Sequence, residues 1–192
     1  MIKIDQNTIS RKDCINVGFL YQHAKKICKL SLLTENNDFD KNIVDQNLHR
    51  PGLALAGFVD LFSYTRVQVF GNTEMRYLEQ LSDEKKHESL DRIFKFNIPC
   101  IILTDDNKPF PMLLEKANEN KVPLFNTVYS TTKLIYLLSD FLDDQFAPRI
   151  TLHGSFVDVY GVGILFGGKS GIGKSEVALD LIERGHRLVA DD

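Results

Sequence analysis

The sequence predicts an α/β protein: an N-terminal domain with a mostly parallel sheet flanked by helices, followed by the opening part of a second domain. Two observations predict this class. Along the first two thirds of the chain, short apolar runs typical of buried strands alternate with helical segments, an order that favours a parallel sheet covered by helices. After residue 149 the pattern changes to a β-hairpin, a glycine-rich loop, a helix and a final strand.

Composition and charge restrict the class of protein further. Of the 192 residues, 43% are hydrophobic and 26% are charged, as is typical of globular proteins. The formal net charge of −3 argues against a dedicated nucleic-acid-binding protein, which would carry an excess of Lys and Arg. The polar residues 1–6 lack a signal core, and no apolar run reaches the roughly 18 residues that span a bilayer. We therefore expect a soluble protein that contacts neither nucleic acid nor a membrane.

The cysteines of the chain, Cys14, Cys28 and Cys100, are widely spaced. They form neither a CxxC pair nor a Cys/His zinc pattern. Their odd number and their spacing indicate reduced thiols, which predicts a cytoplasmic protein.

The predicted elements of the N-terminal domain end at a polar junction. Pro51 can occupy the first position of one helix, and Ser130 or a following threonine can cap the last one. Asp143 and Asp144 interrupt that last helix, and Pro148 marks the junction. We expect helices over residues 17–26, 52–62, 73–80, 84–94, 112–119 and 133–142, a half-buried strand over residues 64–70, and buried strands over residues 99–104 and 122–125.

These elements predict the domain organisation. We expect a regulatory or adaptor-like N-terminal domain over residues 1–143, a linker over 144–149 and the start of a second domain over 150–192. The last segment has only 43 residues, too few to bury enough apolar surface to fold alone. The chain is therefore expected to stop inside its second domain. The alternative is that this segment docks on the N-terminal domain as an extension.

The second segment has a predicted element order of its own. A tight turn at Tyr160 joins two strands over residues 150–160 and 162–166, and a strand over 186–192 ends the chain. Between them, residues 174–183 form an amphipathic helix that Gly185 can end in the left-handed conformation. The expected core residues of this helix are Val177, Leu181 and Ile182.

The glycine-rich loop satisfies the pattern G-x-x-x-x-G-K-[ST] in full. It consists of Gly168, Lys169, Ser170, Gly171, Ile172, Gly173, Lys174 and Ser175. Glycines allow consecutive backbone N–H groups to surround phosphate oxygens, and the helix N-terminus adds its positive dipole. Lys174 can reach the β- and γ-phosphates, and the Ser175 hydroxyl can ligate Mg²⁺. The motif predicts nucleotide triphosphate binding, and the alternative is a decayed loop in a regulatory protein.

Acidic and histidine residues near the loop are open to two interpretations. Asp191 and Asp192 follow the last apolar run, where an acid can hold Mg²⁺ or accept a proton, but Asp is also common in turns after strands. His153, in the strand before the loop, is by its local sequence a structural histidine. In the other domain, residues 47–52 suggest an anion site around Arg50, although this arginine can equally pair with an acid such as Asp45.

The stretches HGSFVDVYGVG, GKSGIGKSE and RGHRLVADD closely resemble bacterial HPr kinase/phosphorylase, and residues 48–57 resemble a segment of its N-terminal domain. The resemblance covers both parts of the chain. It implies a truncated P-loop kinase domain, with ATP or pyrophosphate as phosphoryl donor and Mg²⁺ as cofactor. The activity that it implies is phosphorylation of a serine on the phosphocarrier protein HPr, with removal of that phosphate by phosphorolysis, in the control of carbon metabolism.

The resemblance also implies roles for individual residues. It assigns His153 and Lys174 to the active site and makes Asp192 the catalytic carboxylate, a proton acceptor in phosphorylation and a proton donor in the reverse reaction. Ser175 would contact Mg²⁺, and Asp191 would be a supporting neighbour. A further magnesium-binding acid, a catalytic arginine and the elements that assemble a homohexamer would follow residue 192, so the chain as given is expected to lack activity.

Two other functions are compatible with the same motifs. One is a nucleotide-sensing signalling module that keeps the loop without turnover, and the other is a small-metabolite kinase on the same scaffold. A downstream acidic ligand and arginine would favour the protein kinase.

Overall fold

The computed structural model describes residues 9–191. These residues divide into two compact units, one of Lys12–Ala147 and one that comprises residues 9–11 and 148–191. Within the described residues, no helix is both long enough and apolar enough to cross a membrane.

The first unit contains six helices and six short strands among its described residues. The helices are α1 (Val17–Cys28), α2 (Gly52–Leu55), α3 (Asn72–Glu79), α4 (Asp83–Phe94), α5 (Pro111–Glu119) and α6 (Thr131–Phe146). The strands are β1 (Ile15–Asn16), β2 (Ser31–Leu32), β3 (Asn42–Ile43), β4 (Gln68–Phe70), β5 (Ile101–Leu103) and β6 (Leu124–Asn126).

The main sheet of the first unit has the strand order β2-β6-β5-β4. Its strands β4, β5 and β6 are parallel, and β2 pairs with β6 in the antiparallel direction. The prediction of a mostly parallel sheet flanked by helices is confirmed. Successive residues of β5 enter opposite apolar layers: Ile101 packs with residues of α3, α4 and α5, and Ile102 packs with residues of α1 and α6.

Helices cover both faces of the main sheet, and this corrects one expectation about how deeply a strand is buried. The strand over residues 64–70 was expected to be half-buried, but only Gln68–Phe70 is a strand, and all three of its residues are buried. Because helices pack on both faces of the sheet, neither face of this strand is left to solvent.

Two helices also differ from their predicted lengths. The helix expected over residues 52–62 ends at Leu55, since Gly57 follows with a positive φ of 112°. By contrast, α6 continues to Phe146, through the first three residues of the expected linker. Its Asp143 and Asp144 are tolerated because both are exposed, while Phe146 packs against the core.

The second unit is a three-stranded antiparallel sheet with one helix. Its elements are β7 (Gly154–Val159), β8 (Val162–Gly167), α7 (Lys174–Glu183) and β9 (Arg187–Ala190), and the strand order is β8-β7-β9. Tyr160 and Gly161, with φ of 53° and 84°, form the predicted turn of the hairpin. Gly185 ends α7 with a φ of 93°, as expected.

The core of the second unit differs from the expectation. Of the α7 residues, Ala178 is buried where the helix meets the sheet, Leu181 is half-buried, and Val177 and Ile182 are exposed at 48% and 37%. The prediction of Val177 and Ile182 as core residues is therefore wrong. Amphipathic spacing identifies an apolar face of a helix, but it does not say which part of that face a small sheet covers.

Candidate nucleotide-binding site

The candidate site lies at one edge of the second sheet. Strands β8 and β9 both run antiparallel to β7, so both end at the edge where β7 begins. The glycine-rich loop leaves β8 at this edge, and Asp191 follows β9 there. His153 directly precedes β7 and is exposed. The topology thus brings together residues that are up to 38 positions apart in the sequence, from 153 to 191.

His153 lies just outside the strand in which it was expected. The strand begins at Gly154 rather than at residue 150. Gly154 pairs with Gly167, the residue before the loop, so His153 stands beside the point where the loop starts. This position is compatible with a role at the loop, which the local sequence by itself did not indicate.

The loop has the backbone geometry that a phosphate cradle requires. Gly171 and Gly173 have positive φ values of 78° and 91°, a conformation that residues with a Cβ rarely adopt. Gly173 is the N-cap of α7, so the free backbone N–H groups and the positive end of the helix dipole face the loop.

The lysine of the loop is held by the loop itself. Lys174 Nζ donates hydrogen bonds to the carbonyl oxygens of Gly168 and Lys169, each at 3.0 Å. Two of the three ammonium donors are therefore engaged with backbone, and the charge is fixed over the start of the loop.

The loop and the first turn of α7 line an open cavity of about 260 Å³. The lining residues are Ser170, Gly171, Gly173, Lys174, Ser175, Glu176 and Leu179. No atom lies within 4 Å of the position that a Cβ on Gly171 would occupy, so this side of the loop is open. Glycines, a helix N-terminus, a lysine and an exposed serine hydroxyl fit the phosphates of a nucleotide with Mg²⁺.

Among residues 9–191, no group of three or more His, Cys, Asp and Glu side chains is arranged to hold a metal ion. This is compatible with Mg²⁺, which keeps several waters and binds through few protein ligands together with substrate phosphates. Ser175, in the first turn of α7, is the residue of the loop with a hydroxyl suited to that role.

One contact at this edge was not predicted from the sequence. The Ser155 hydroxyl is hydrogen-bonded to Asp191 Oδ1 at 2.5 Å, and Ser155 is fully buried. The signal in the sequence that could have predicted this contact was a polar residue at an inward position of an alternating strand.

Asp192, the predicted catalytic carboxylate, lies outside the described residues.

The anion site considered around Arg50 has a different explanation. Arg50 pairs with Glu74 at 2.8 Å, and the proposed partner Asp45 pairs instead with Arg66 at 2.7 Å. The structural interpretation of Arg50 is thus correct, but the partner predicted for it is wrong.

A strand that leads into a G-x-x-x-x-G-K-S loop, with the loop capping a helix, defines the second unit as part of a P-loop protein. Comparison with known families is more specific. Residues 15–142 match the family described as HPr Serine kinase N terminus, and residues 144–192 match the HPr Serine kinase C-terminal domain. The chain belongs to the HPr serine kinase family.

Individual relatives agree with this assignment. The chain is 53% identical to the HPr kinase/phosphorylase of Chloroherpeton thalassium over 184 residues, which cover 95% of this chain and 54% of that protein. It is 55% identical to the protein of the same name from Chlorobium chlorochromatii, over 98% of this chain and 57% of that protein. The relative from Prosthecochloris aestuarii is 51% identical, over 100% of this chain and 56% of that protein. The chain thus spans a little over half the length of these curated relatives.

Among solved structures, the CBS and DRTGG domains of the regulatory region of Clostridium perfringens pyrophosphatase align with a TM-score of 0.46 and 11% identity. The alignment covers 72% of this chain and 56% of that chain.

Proposed function

We propose that the complete gene product is a protein-serine kinase that phosphorylates HPr with ATP or pyrophosphate and removes the phosphate by phosphorolysis. Residues 1–143 would form an adaptor-like or regulatory N-terminal domain, and the catalytic domain would begin near residue 150. The same proposal includes that the protein acts in the cytoplasm as a homohexamer and that it controls carbon metabolism. Its main support is the meeting of His153, the glycine-rich loop and the end of β9 at one edge of a sheet.

The residues of the loop have distinct tasks in this proposal. The backbone N–H groups around Gly171 and Gly173 bind phosphate oxygens of the donor. Lys174 carries positive charge to the transferred group, for which it exchanges its bonds to the Gly168 and Lys169 carbonyls. Mg²⁺, when bound through Ser175, neutralises charge that develops on the phosphate oxygens.

The proton transfers are assigned to Asp192, and His153, at the edge where β9 ends, is assigned to the same active site. In the forward direction Asp192 accepts the proton of the attacking serine hydroxyl. In the reverse direction inorganic phosphate attacks the phosphorus of the phosphoserine and forms pyrophosphate, and Asp192 returns its proton to the serine oxygen that leaves. One carboxyl group can serve both directions because a step and its reversal use the same groups by microscopic reversibility.

The test is transfer of labelled γ-phosphate from Mg²⁺-ATP to the serine of HPr by the complete gene product. Lys174→Ala and Asp192→Asn are expected to remove the transfer, and the matched variant Asp180→Asn, on the exposed side of α7, is expected to keep it. Full activity of Asp192→Asn would contradict the role of this carboxylate. We expect residues 1–192 alone to be inactive, because the chain spans only part of the length of its relatives.

The same assay separates the proposal from two other functions. Nucleotide binding without transfer to any acceptor would indicate a sensing module. Transfer to a small hydroxylated metabolite, but not to HPr, would indicate a metabolite kinase. Either result would overturn the proposed function.

A further inference from the structure

Strand β9 carries an irregularity immediately before the candidate site. Along β7, Phe156 and Val157 are consecutive, but their partners on β9 are Ala190 and Leu188. Val189 is therefore an extra residue, and the strand contains a β-bulge at this position. Bulges next to active sites change the direction of the side chains that follow them.

The bulge determines which residue of the chain faces Ser155. Without the extra residue, Val189 would oppose Phe156 and Ala190 would oppose Ser155. With it, Ala190 opposes Phe156, so the next residue, Asp191, opposes Ser155. The hydrogen bond between the Ser155 hydroxyl and Asp191 Oδ1, at 2.5 Å, agrees with this register. Opposed residues of paired strands project to the same face of a sheet, which allows this contact.

The Ser155 hydroxyl is well suited to hold the end of β9. Ser155 is 0% exposed, so its hydroxyl does not exchange its partner for water. Its neighbour Gly154 lies so close to the Phe166 carbonyl that a Cβ could not be accommodated, which fixes this part of β7 against β8. A hydrogen bond from a rigid strand to a carboxylate is of the stronger, charge-assisted type.

We propose that Ser155 is a positioning residue for phosphoryl transfer. By binding Asp191 next to the bulge it restrains the end of β9, the segment that leads directly to the residue to which the proton transfer is assigned. The inference rests on the proposed function, since the reacting group that it positions is the one assigned there. Ser155 itself contacts neither nucleotide nor protein substrate in this role.

The test uses three variants of Ser155 in the complete gene product. Ser155→Ala removes the hydroxyl, Ser155→Cys keeps the size with a much weaker donor, and Ser155→Thr keeps the hydroxyl. We expect kcat for HPr phosphorylation to fall roughly tenfold to a hundredfold in the first two variants, as misplacement of a reacting group does. The Thr variant is expected to retain kcat within about threefold, and the Kd for Mg²⁺-ATP is expected to change less than about twofold in all three, because the loop is unaltered.

A matched control distinguishes positioning from general stability. Ser89 is also buried, and its hydroxyl donates to the Leu55 carbonyl at 2.6 Å in the first unit. Ser89→Ala should lower Tm without lowering kcat. A readout independent of activity is amide hydrogen exchange, which should become faster over residues 188–191 in Ser155→Ala alone.

The outcomes separate this inference from the function on which it rests. If the unmodified protein does not phosphorylate HPr, the proposed function fails and the positioning role fails with it. If the unmodified protein is active and Ser155→Ala has the same kcat, or if Ser155→Thr is impaired as strongly as Ser155→Ala, the positioning role alone is overturned.

Discussion

Arg50 Nη2 lies 2.8 Å from Glu74 Oε2, and the same oxygen accepts a hydrogen bond from the backbone N–H of Gly71 at 2.9 Å. Glu74 is the third residue of α3 and reaches back to the residue that caps this helix. Its carboxylate is 3% exposed, whereas the Arg50 side chain is 42% exposed. The loop before α2 is therefore tied to the start of α3 by one buried carboxylate.

This arrangement predicts that the loss of stability depends on which side chain replaces Glu74. Glu74→Ala should lower the free energy of unfolding of the first unit by about 2–3 kcal/mol, because the buried Gly71 N–H loses its acceptor and Arg50 its partner. Glu74→Gln, which keeps an acceptor oxygen, should cost clearly less. Urea denaturation followed by circular dichroism measures both. Glu79→Ala, at the exposed end of the same helix, should stay within about 0.5 kcal/mol of the unmodified protein.

A second prediction concerns the close approach of β7 and β8. A Cβ added to Gly154 would overlap the backbone carbonyl of Phe166, which cannot move without separating the strands. Gly154→Ala should therefore lower the stability of the second unit by about 1–3 kcal/mol. It should also weaken nucleotide binding, since the loop follows the residue paired with Gly154. Thermal unfolding and ATP titration test this.

The matched control for that prediction is Gly52→Ala. At Gly52 the added Cβ would meet only Glu74 Oε1, at an ordinary contact distance of 3.5 Å. Because Gly52 is helical, this change should leave stability equal or slightly higher. A loss at Gly52 as large as that at Gly154 would contradict the steric explanation.

A third prediction concerns pH. The hydrogen bond from Lys116, at 2.8 Å, lowers the pKa of Asp91 below its ordinary value of 3.8, and the Lys116 charge and His87 act in the same direction. A depressed carboxyl pKa contributes stability that is present above the unfolded pKa and is lost as pH falls through the folded pKa. The contribution is small, because Asp91 is 38% exposed and solvent screens the pair.

Lys116→Met should therefore flatten the loss of stability between neutral pH and about pH 3. The measurement is the urea midpoint at several pH values in this range. Lys85→Met, which removes an exposed lysine of α4, should leave the pH profile unchanged. Identical profiles for Lys116→Met and the unmodified protein would show that the pair does not contribute to acid stability.

The fourth prediction concerns thiol reactivity. Burial raises the pKa of Cys28 to about 11 and that of Cys100 to about 12, and both side chains are 0% exposed, whereas Cys14 is exposed. Since the thiolate is the reactive form, a thiol-specific reagent should label Cys14 first and the other two only on unfolding. Cys14→Ser should remove the fast phase. Rapid labelling of Cys100 in the native protein would contradict the burial of this residue, which directly precedes β5.

Local patterns in the sequence determined a large part of this structure. Helix α7 begins at Lys174 and ends at Glu183, as predicted, because the glycine-rich loop and Gly185 delimit it on either side. The parallel sheet of the first unit followed from apolar runs that alternate with helices. These features depend on residues close together in the chain, whose preferences can be read without knowledge of the fold.

Only the tertiary structure decided which distant residues meet. Arg50 pairs with Glu74 rather than with Asp45, which is nearer in the sequence. Ser155 meets Asp191 because a bulge shifts the register of β9 by one residue. Strand register and ion-pair choice depend on which faces are buried by segments far away in the sequence, so a local pattern cannot specify them. The glycine-rich loop could therefore be recognised from its own residues, whereas the neighbours at its edge of the sheet were set by the pairing of β7 with β8 and β9.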